Sequence, residues 1–321
     1  MSGQTIWVLT EGHAGMENQA RGLAEALGAE PVIKRLFPRV PWRHLPPRLW
    51  PLPLRSPGSA GDALAPPWPD ILITCGKRAS APSVAIRRAS RGQTFTVHIQ
   101  DPPFPASAFD CLVVPAHDKL RGSNVIVTRA AVHRVTRAGL DAAAAALRPR
   151  LKDMPRPLVA VLVGGSNRRH KVETADIVRL AQQLASLCRA EGAGLLVTPS
   201  RRTGATNEAI LRSHLEDLPV EIWDGKNDNP YFGYLGIADA VVASRDSVSM
   251  VSEACATERP VYTARLGTTS RRVDAFHAAL EDAGVTRPFD GTLDKWHYEP
   301  LNDTAKAAAE IRRRLAQRMP A

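Results

Sequence analysis

A chain of 321 residues, 44% hydrophobic and 23% charged, is too long for one ordinary core, and its composition excludes a disordered or fibrous protein. The formal net charge is +10 and lies in the first half: residues 1–150 hold 19 Lys+Arg against 10 Asp+Glu, residues 151–321 hold 23 against 22. No apolar run approaches the ~20 residues of a membrane-spanning helix, and the four scattered cysteines (Cys75, Cys111, Cys188, Cys255) lack a CxxC pair, which favours buried free thiols over disulfides or zinc.

The chain begins directly with the apolar run Ile6-Trp7-Val8-Leu9, without a basic region or cleavage site, so no signal peptide is expected and the setting reads as cytoplasmic. A strand is predicted over 6–10, followed by a Gly-rich turn and a helix over 17–27. Pro31 to Gly61 then carries Lys34, Arg35, Arg39, Arg43, Arg48 and Arg55 with no acidic residue, interleaved with Phe37, Trp42 and Trp50. Rings beside cations suit an anionic lipid surface, so residues 34–55 predict peripheral contact with the inner face of the cytoplasmic membrane. A Pro-rich connection packed on its own domain is the alternative. Strands are predicted over 71–74, 95–99, 111–114 and 125–127, and a helix over 83–89.

A second alternating series follows Pro149 to Pro157. Its strands are predicted over 158–163, 194–198, 220–223 and 240–243, with another beginning after Pro260; its helices over 174–190, 207–215 and 248–256. An Arg-rich helix over 303–319 ends the chain. Short apolar runs alternating with helical patterns indicate parallel sheets covered on both faces. The predicted fold class is therefore α/β, two Rossmann-like domains facing across a cleft. Residues 1–150 are expected to form a membrane-facing first domain, 151–302 a second domain, and 303–321 a helix packing back on the first.

Ligands of such sheets sit beyond the carboxyl ends of the strands, so the residues after each strand are the functional candidates. In the first domain these are Gly12, His13, Gly15, Glu17, Asn18 and Gln19, then Lys77, Asp101, His117 and Asp118. His13, Asp101 and His117 are the general-base candidates; His98, inside an apolar run, reads as buried. In the second domain Gly164-Gly165-Ser166-Asn167-Arg168 can form a phosphate-facing turn. Ser200, Arg201, Arg202, Asn229 and Tyr231 follow the next strand ends. Asp246, Ser247, Ser249 and Met250 surround a helix start whose free N–H groups suit a diphosphate, although Asp246 or Ser247 as a simple N-cap is the commoner use of such a turn. Glu253 stands where it can meet a ribose.

Other chemistries lack their signatures. There is no GxGxxG, GxxxxGK[ST] or GxSxG, no Tyr-x-x-x-Lys of a short-chain epimerase, and no zinc-type histidine pair. Asp224 and Asp228 have the chemistry for a divalent ion, but a solvated loop is the simpler account, and no metal or cofactor is expected.

The stretch ADAVVASRDSVSMVSEACATERPVY, residues 238–262, resembles the donor-binding segment of the GT-B enzyme that adds N-acetylglucosamine in peptidoglycan synthesis. That resemblance implies Ser247, Ser249 and Met250 near the pyrophosphate or base and Glu253 at the ribose. It also places the His13 loop where that family has its first-domain glycine loop, although GGxxGH is not present. WVLTEGHAGMENQARGLAEALG, VHIQDPPFPASAFDCLVVPAHD, NPYFGYLGIADAVVASRDSVSMVSEA and the GGSN and TPSRRT turns resemble, over nearly the whole chain, bacterial relatives of the plant mitochondrial-fission factor. Two functions are implied. One is a metal-independent glycosyltransferase using a nucleotide-diphosphate sugar and an envelope or lipid-linked acceptor. The other is a membrane-associated recruitment protein without turnover. Nucleic-acid binding by the basic segment is the less favoured partner class.

Overall fold

The computed structural model describes residues 4–167 and 170–318. Among these residues the chain forms two compact units, each built on a six-stranded sheet whose paired strands are all parallel. The first unit contains β1 (Ile6–Thr10), α1 (Ala14–Ala26), β2 (Val32–Arg35), β3 (Ile71–Cys75), α2 (Ser80–Ala89), β4 (Phe95–Ile99), β5 (Cys111–Pro115) and β6 (Val125–Thr128). Strand order is β2-β1-β3-β4-β5-β6. Every residue of β3, β4 and β5 is buried, the signature of a sheet covered on both faces. Alternation along the strands divides the core. Ile6, Val8, Ile71 and Ile73 pack against Leu23 and Leu27 on one face, and Leu9 and Leu72 against Trp42, Trp50 and Ile86 on the other.

The second unit, Val135–Leu301, contains α3 (Arg137–Leu147), β7 (Leu158–Val163), α4 (Thr174–Glu191), β8 (Gly194–Pro199), α5 (Ala205–Leu215), β9 (Val220–Ile222), α6 (Tyr231–Ile237), β10 (Ala240–Ser244), α7 (Val248–Ala254), β11 (Val261–Ala264), α8 (Arg271–Asp282) and β12 (Thr286–Pro288). Its order, β12-β11-β10-β7-β8-β9, is that of a doubly wound Rossmann sheet. The direction of winding reverses between β7 and β10.

The last helix, α9 (Asp303–Arg318), lies in the first unit, where Ala307, Ala308, Ile311 and Leu315 join the α1 side of the core. Its start is fixed there. The Asp303 carboxylate accepts from the Ala130 N–H (2.8 Å), and the Thr304 hydroxyl accepts from the His133 N–H (2.8 Å) and donates to the His133 carbonyl (3.0 Å).

The units divide after Arg134 rather than near 150 because α3 packs on α6. Gly233 and Gly236 permit that approach. A Cβ at Gly236 would stand 2.4 Å from the Leu140 carbonyl oxygen, and one at Gly233 2.3 Å from Leu147 Cδ1.

The basic segment needs a second correction. Trp42 and Trp50 are core residues, 8% and 5% exposed, with indole N–H groups donating to Pro51 O (2.5 Å) and Leu45 O (3.0 Å). They are not interface rings: the proline-bounded turns fold them inward to cover Leu9 and Leu72. Phe37 alone of the three aromatics is exposed, at 43%. Among the described residues no helix is long and apolar enough to cross a membrane.

Candidate functional site

The second sheet's switch point lies between the ends of β7 and β10, the place at which ligands of such sheets bind. Gly164 and Gly165 follow β7; Arg245, Asp246 and Ser247 follow β10. The Asp246 side chain is fully excluded from solvent. Its Oδ2 accepts from the Gly165 N–H (3.1 Å) and pairs with Arg202 Nη2 (2.8 Å), while Arg202 Nη1 donates to the Gly165 carbonyl (2.8 Å). The two glycines are steric necessities. A Cβ would stand 2.2 Å from Asp246 Oδ1 at position 164 and 2.0 Å from the Arg202 carbonyl oxygen at position 165.

The turn after β8 is tied to the same glycines. The Thr203 hydroxyl donates to the carbonyls of Val163 (3.0 Å) and Gly164 (2.6 Å), and the Ser200 hydroxyl accepts from the Arg202 N–H (3.2 Å). The Ser244 hydroxyl accepts from the Gly164 N–H at 2.7 Å. The Ser166 hydroxyl accepts from the Val172 N–H at 3.0 Å, holding the far side of the turn, and Asn167 pairs through its backbone with His170. Arg168 lies outside the described residues. Thus Gly164, Gly165, Ser200, Arg202 and Asp246 come together as one network, with Arg201 exposed beside it. Thr203 and Ser244 complete it. Ser244 closes β10 and Thr203 stands four residues beyond β8, and hydroxyls at or shortly after the ends of buried strands are the signal that marks them.

Ser247 serves as the N-cap of α7: its hydroxyl accepts from the Met250 N–H (3.4 Å), and Ser249 and Met250 lie in the first turn, partly exposed. One turn further Glu253 is 4% exposed and accepts a hydrogen bond from the Tyr231 hydroxyl at 2.5 Å. Burial pushes the Glu253 carboxyl up to about 7, against the Tyr231 hydrogen bond, which favours its charged form. The same burial and the neighbouring carboxylate push the Tyr231 phenol well above its usual value. Asn229 holds the start of α6, its Oδ1 accepting from the Tyr231 N–H (3.1 Å). Glu253, the residue expected at a ribose, thus lies against Tyr231, which occupies one oxygen of its carboxylate.

In the first unit the switch point lies between β1 and β3. Helix α1 begins at Ala14, three residues earlier than expected, because Gly12 turns the chain at φ +74° and His13 is already the extended N-cap residue. Gly15 therefore lies on the helix rather than in the turn, and Glu17, Asn18 and Gln19 lie on the helix as expected. His13 is exposed, as are Lys77 after β3 and Asp101 after β4; His117 after β5 is half-buried. Glu11 pairs with Arg78 across the switch point at 2.8 Å. Glu17 is engaged by Arg35 through two hydrogen bonds of 3.2 Å, and Gln19 (6%) and Asp118 (4%) are buried. His98 is buried in β4, its Nδ1 2.7 Å from the Thr74 hydroxyl, and desolvation lowers its pKa to about 3. Among the described residues no group of three or more His, Cys, Asp or Glu side chains gathers as a metal site.

A family model described as Mitochondrial fission ELM1 matches residues 14–315. The "Mitochondrial fission protein ELM1" of Arabidopsis thaliana is 34% identical over an alignment of 279 residues that covers 78% of this chain and 65% of that protein, so the chain spans slightly less than two thirds of its length. Among solved structures, a putative UDP-N-acetylglucosamine 2-epimerase from Listeria monocytogenes superposes with a TM-score of 0.60 at 12% identity, covering 98% of each chain. The UDP-GlcNAc 2-epimerase from Neisseria meningitidis, solved bound to UDP-GlcNAc, gives 0.56 at 13% identity over 98% of this chain and 99% of that one. Acinetobacter baumannii MurG gives 0.50 at 12% identity over 97% and 90%. At these identities the likeness establishes a GT-B-like fold. Lacking Tyr-x-x-x-Lys speaks only against a short-chain epimerase, because proteins named as UDP-GlcNAc 2-epimerases share this other fold.

Proposed function

We propose, starting from a chain that belongs to the mitochondrial fission ELM1 family, that its second unit binds a nucleotide-diphosphate sugar at the β7/β10 switch point and that the protein transfers the sugar to an envelope or lipid-linked acceptor. The observation that carries this reading is the gathering of the Gly164–Gly165 turn, the Ser200–Arg202 turn, the Asp246–Ser247 turn and the buried Glu253–Tyr231 pair within one Rossmann-like unit. Each half of the gathering suits one half of the ligand. The exposed Arg201, beside the glycine turn whose N–H groups are held by Ser244 and Asp246, suits a diphosphate. A carboxylate poised near neutrality accepts hydrogen bonds from ribose hydroxyls.

In the proposed reaction the acceptor hydroxyl attacks the anomeric carbon and the bond to the diphosphate breaks. The acceptor's proton passes to a general base, for which His13, Asp101 and His117 are the candidates the sequence offers. Charge developing on the leaving diphosphate is stabilised by Arg201, with Arg202 holding the glycine turn in shape rather than meeting the ligand directly. A recruitment protein without turnover is the second reading. It is favoured by the same Arg202–Asp246 pair, since a cation beside the glycine turn is already neutralised.

Calorimetric titration against nucleoside diphosphates and their sugar conjugates tests the first reading. Saturable binding of one conjugate class, weakened at least about ten-fold by Glu253→Gln, is the expected outcome. Absence of binding to every conjugate would transfer the case to recruitment.

A further inference from the structure

We infer that the loop from Phe37 to Arg55 is a preformed docking surface for an anionic phospholipid bilayer, independent of any sugar transfer. The described residues expose six large apolar side chains, and five of them fall between Val32 and Leu52: Val32 (50%), Phe37 (43%), Val40 (67%), Leu49 (66%) and Leu52 (64%). Apolar exposure that is concentrated rather than scattered marks an interaction site. The same stretch, from Pro31 to Gly61, contains no acidic residue, and Arg39, Arg43, Arg48 and Arg55 are all exposed. Leucines among arginines, with no carboxylate between, complement a surface that is apolar below and negative above, as an anionic bilayer is.

The loop keeps this shape without a partner. Its base is closed by the Pro38–Pro57 bridge, by the Arg39 N–H donating to Ser56 O (3.1 Å) and by the Gly58 N–H donating to Phe37 O (2.8 Å). Its interior is closed by Trp42 and Trp50, buried as described. Docking therefore orders little that is not already ordered. The buried indoles also weigh against single-stranded nucleic acid, which would need exposed rings for its bases, whereas the exposed leucines gain nothing from a phosphate chain. Arg78 joins the loop to the switch point of the first unit, donating to the Arg43 carbonyl (3.1 Å) while pairing with Glu11. A docked bilayer would thus lie beside the first sheet's carboxyl edge.

Co-sedimentation of the full chain with vesicles of phosphatidylcholine alone, or doped with phosphatidylglycerol, tests the inference. Wild type should pellet only with the doped vesicles and be released by salt. Leu49→Asp with Leu52→Asp should weaken partitioning at least about ten-fold, and Arg48→Gln and Arg55→Gln about five-fold each. All four positions are exposed, and unchanged thermal unfolding verifies the fold; the arginine variants carry the test if the leucine pair fails to fold. Undiminished pelleting of either set, or equal binding to neutral vesicles, would overturn the inference. So would wild-type self-association that the leucine variant abolishes, or tighter binding to an oligonucleotide than to the vesicles.

Discussion

The Asp246 carboxylate holds Arg202 at 2.8 Å with one oxygen and stands with the other where a side chain at position 164 would begin. The pair fixes the glycine turn from two directions, since Arg202 also donates to Gly165 O. Gly165→Ala places a methyl carbon 2.0 Å from the Arg202 backbone oxygen, and no flexible side chain is available to yield. Overpacking of this kind costs about 1–3 kcal/mol. Urea unfolding should show a loss in that range, and a change below about 0.5 kcal/mol would mean that the turn is looser than described.

Glu253 makes stability depend on pH in a direction opposite to that of an ordinary surface carboxylate. Its folded pKa, about 7, lies above the unfolded value of 4.5, so the folded chain holds a proton that the unfolded chain has released. The contribution is whole below about 4.5, declines as pH rises through about 7, and amounts to on the order of 3 kcal/mol at most. Denaturant titrations across that window should show a fall in stability that Glu253→Gln flattens. A wild-type profile identical to the Gln variant's would refute the assignment.

Gly236 lets α6 approach α3 to within contact of the Leu140 backbone. Gly236→Ala should cost about 1–3 kcal/mol, despite alanine's better helix propensity, because the added carbon meets a carbonyl oxygen at 2.4 Å. Thermal unfolding gives the answer directly: a stabilised variant would show the α3–α6 contact to be yielding.

Trp50 should behave as a core residue. Trp50→Ala is expected to cost about 3–5 kcal/mol and Trp50→Phe, which loses chiefly the hydrogen bond to Leu45 O, about 1 kcal/mol. If Trp50→Ala were neutral by calorimetry, the loop would not be anchored through this ring.

The sheet strands were legible because their causes are local. Ile6–Thr10 and Phe95–Ile99 match expectation residue for residue, being short apolar runs bounded by turn formers and buried on both faces. Val32–Arg35 was hidden, since an edge strand half-open to water shows no apolar run. Helix α3 was missed because its alanines carry little periodicity and its reason to exist is α6, about ninety residues further on. The site divided along the same line. Gly164, Gly165 and Asp246 follow strands that the pattern reveals, and Glu253 lies within a helix that it reveals. That Asp246 meets Arg202, or that Tyr231 donates to Glu253, depends on which strand ends become neighbours, and a linear pattern carries no signal for that. Trp42 and Trp50 were misplaced for a related reason: proline spacing predicts irregular backbone but not which way its rings turn.

Because α9 completes the first unit, that unit is discontinuous in sequence, and synthesis delivers its halves about 170 residues apart. Emerging from the ribosome, residues 4–134 must wait, with the hydrophobic seat for Ile311 and Leu315 uncovered, until the whole of the second unit has been translated. The order of manufacture thus makes the first half the later to mature, and a chain cut short anywhere before Ile311 would present that empty seat to chaperones and proteases.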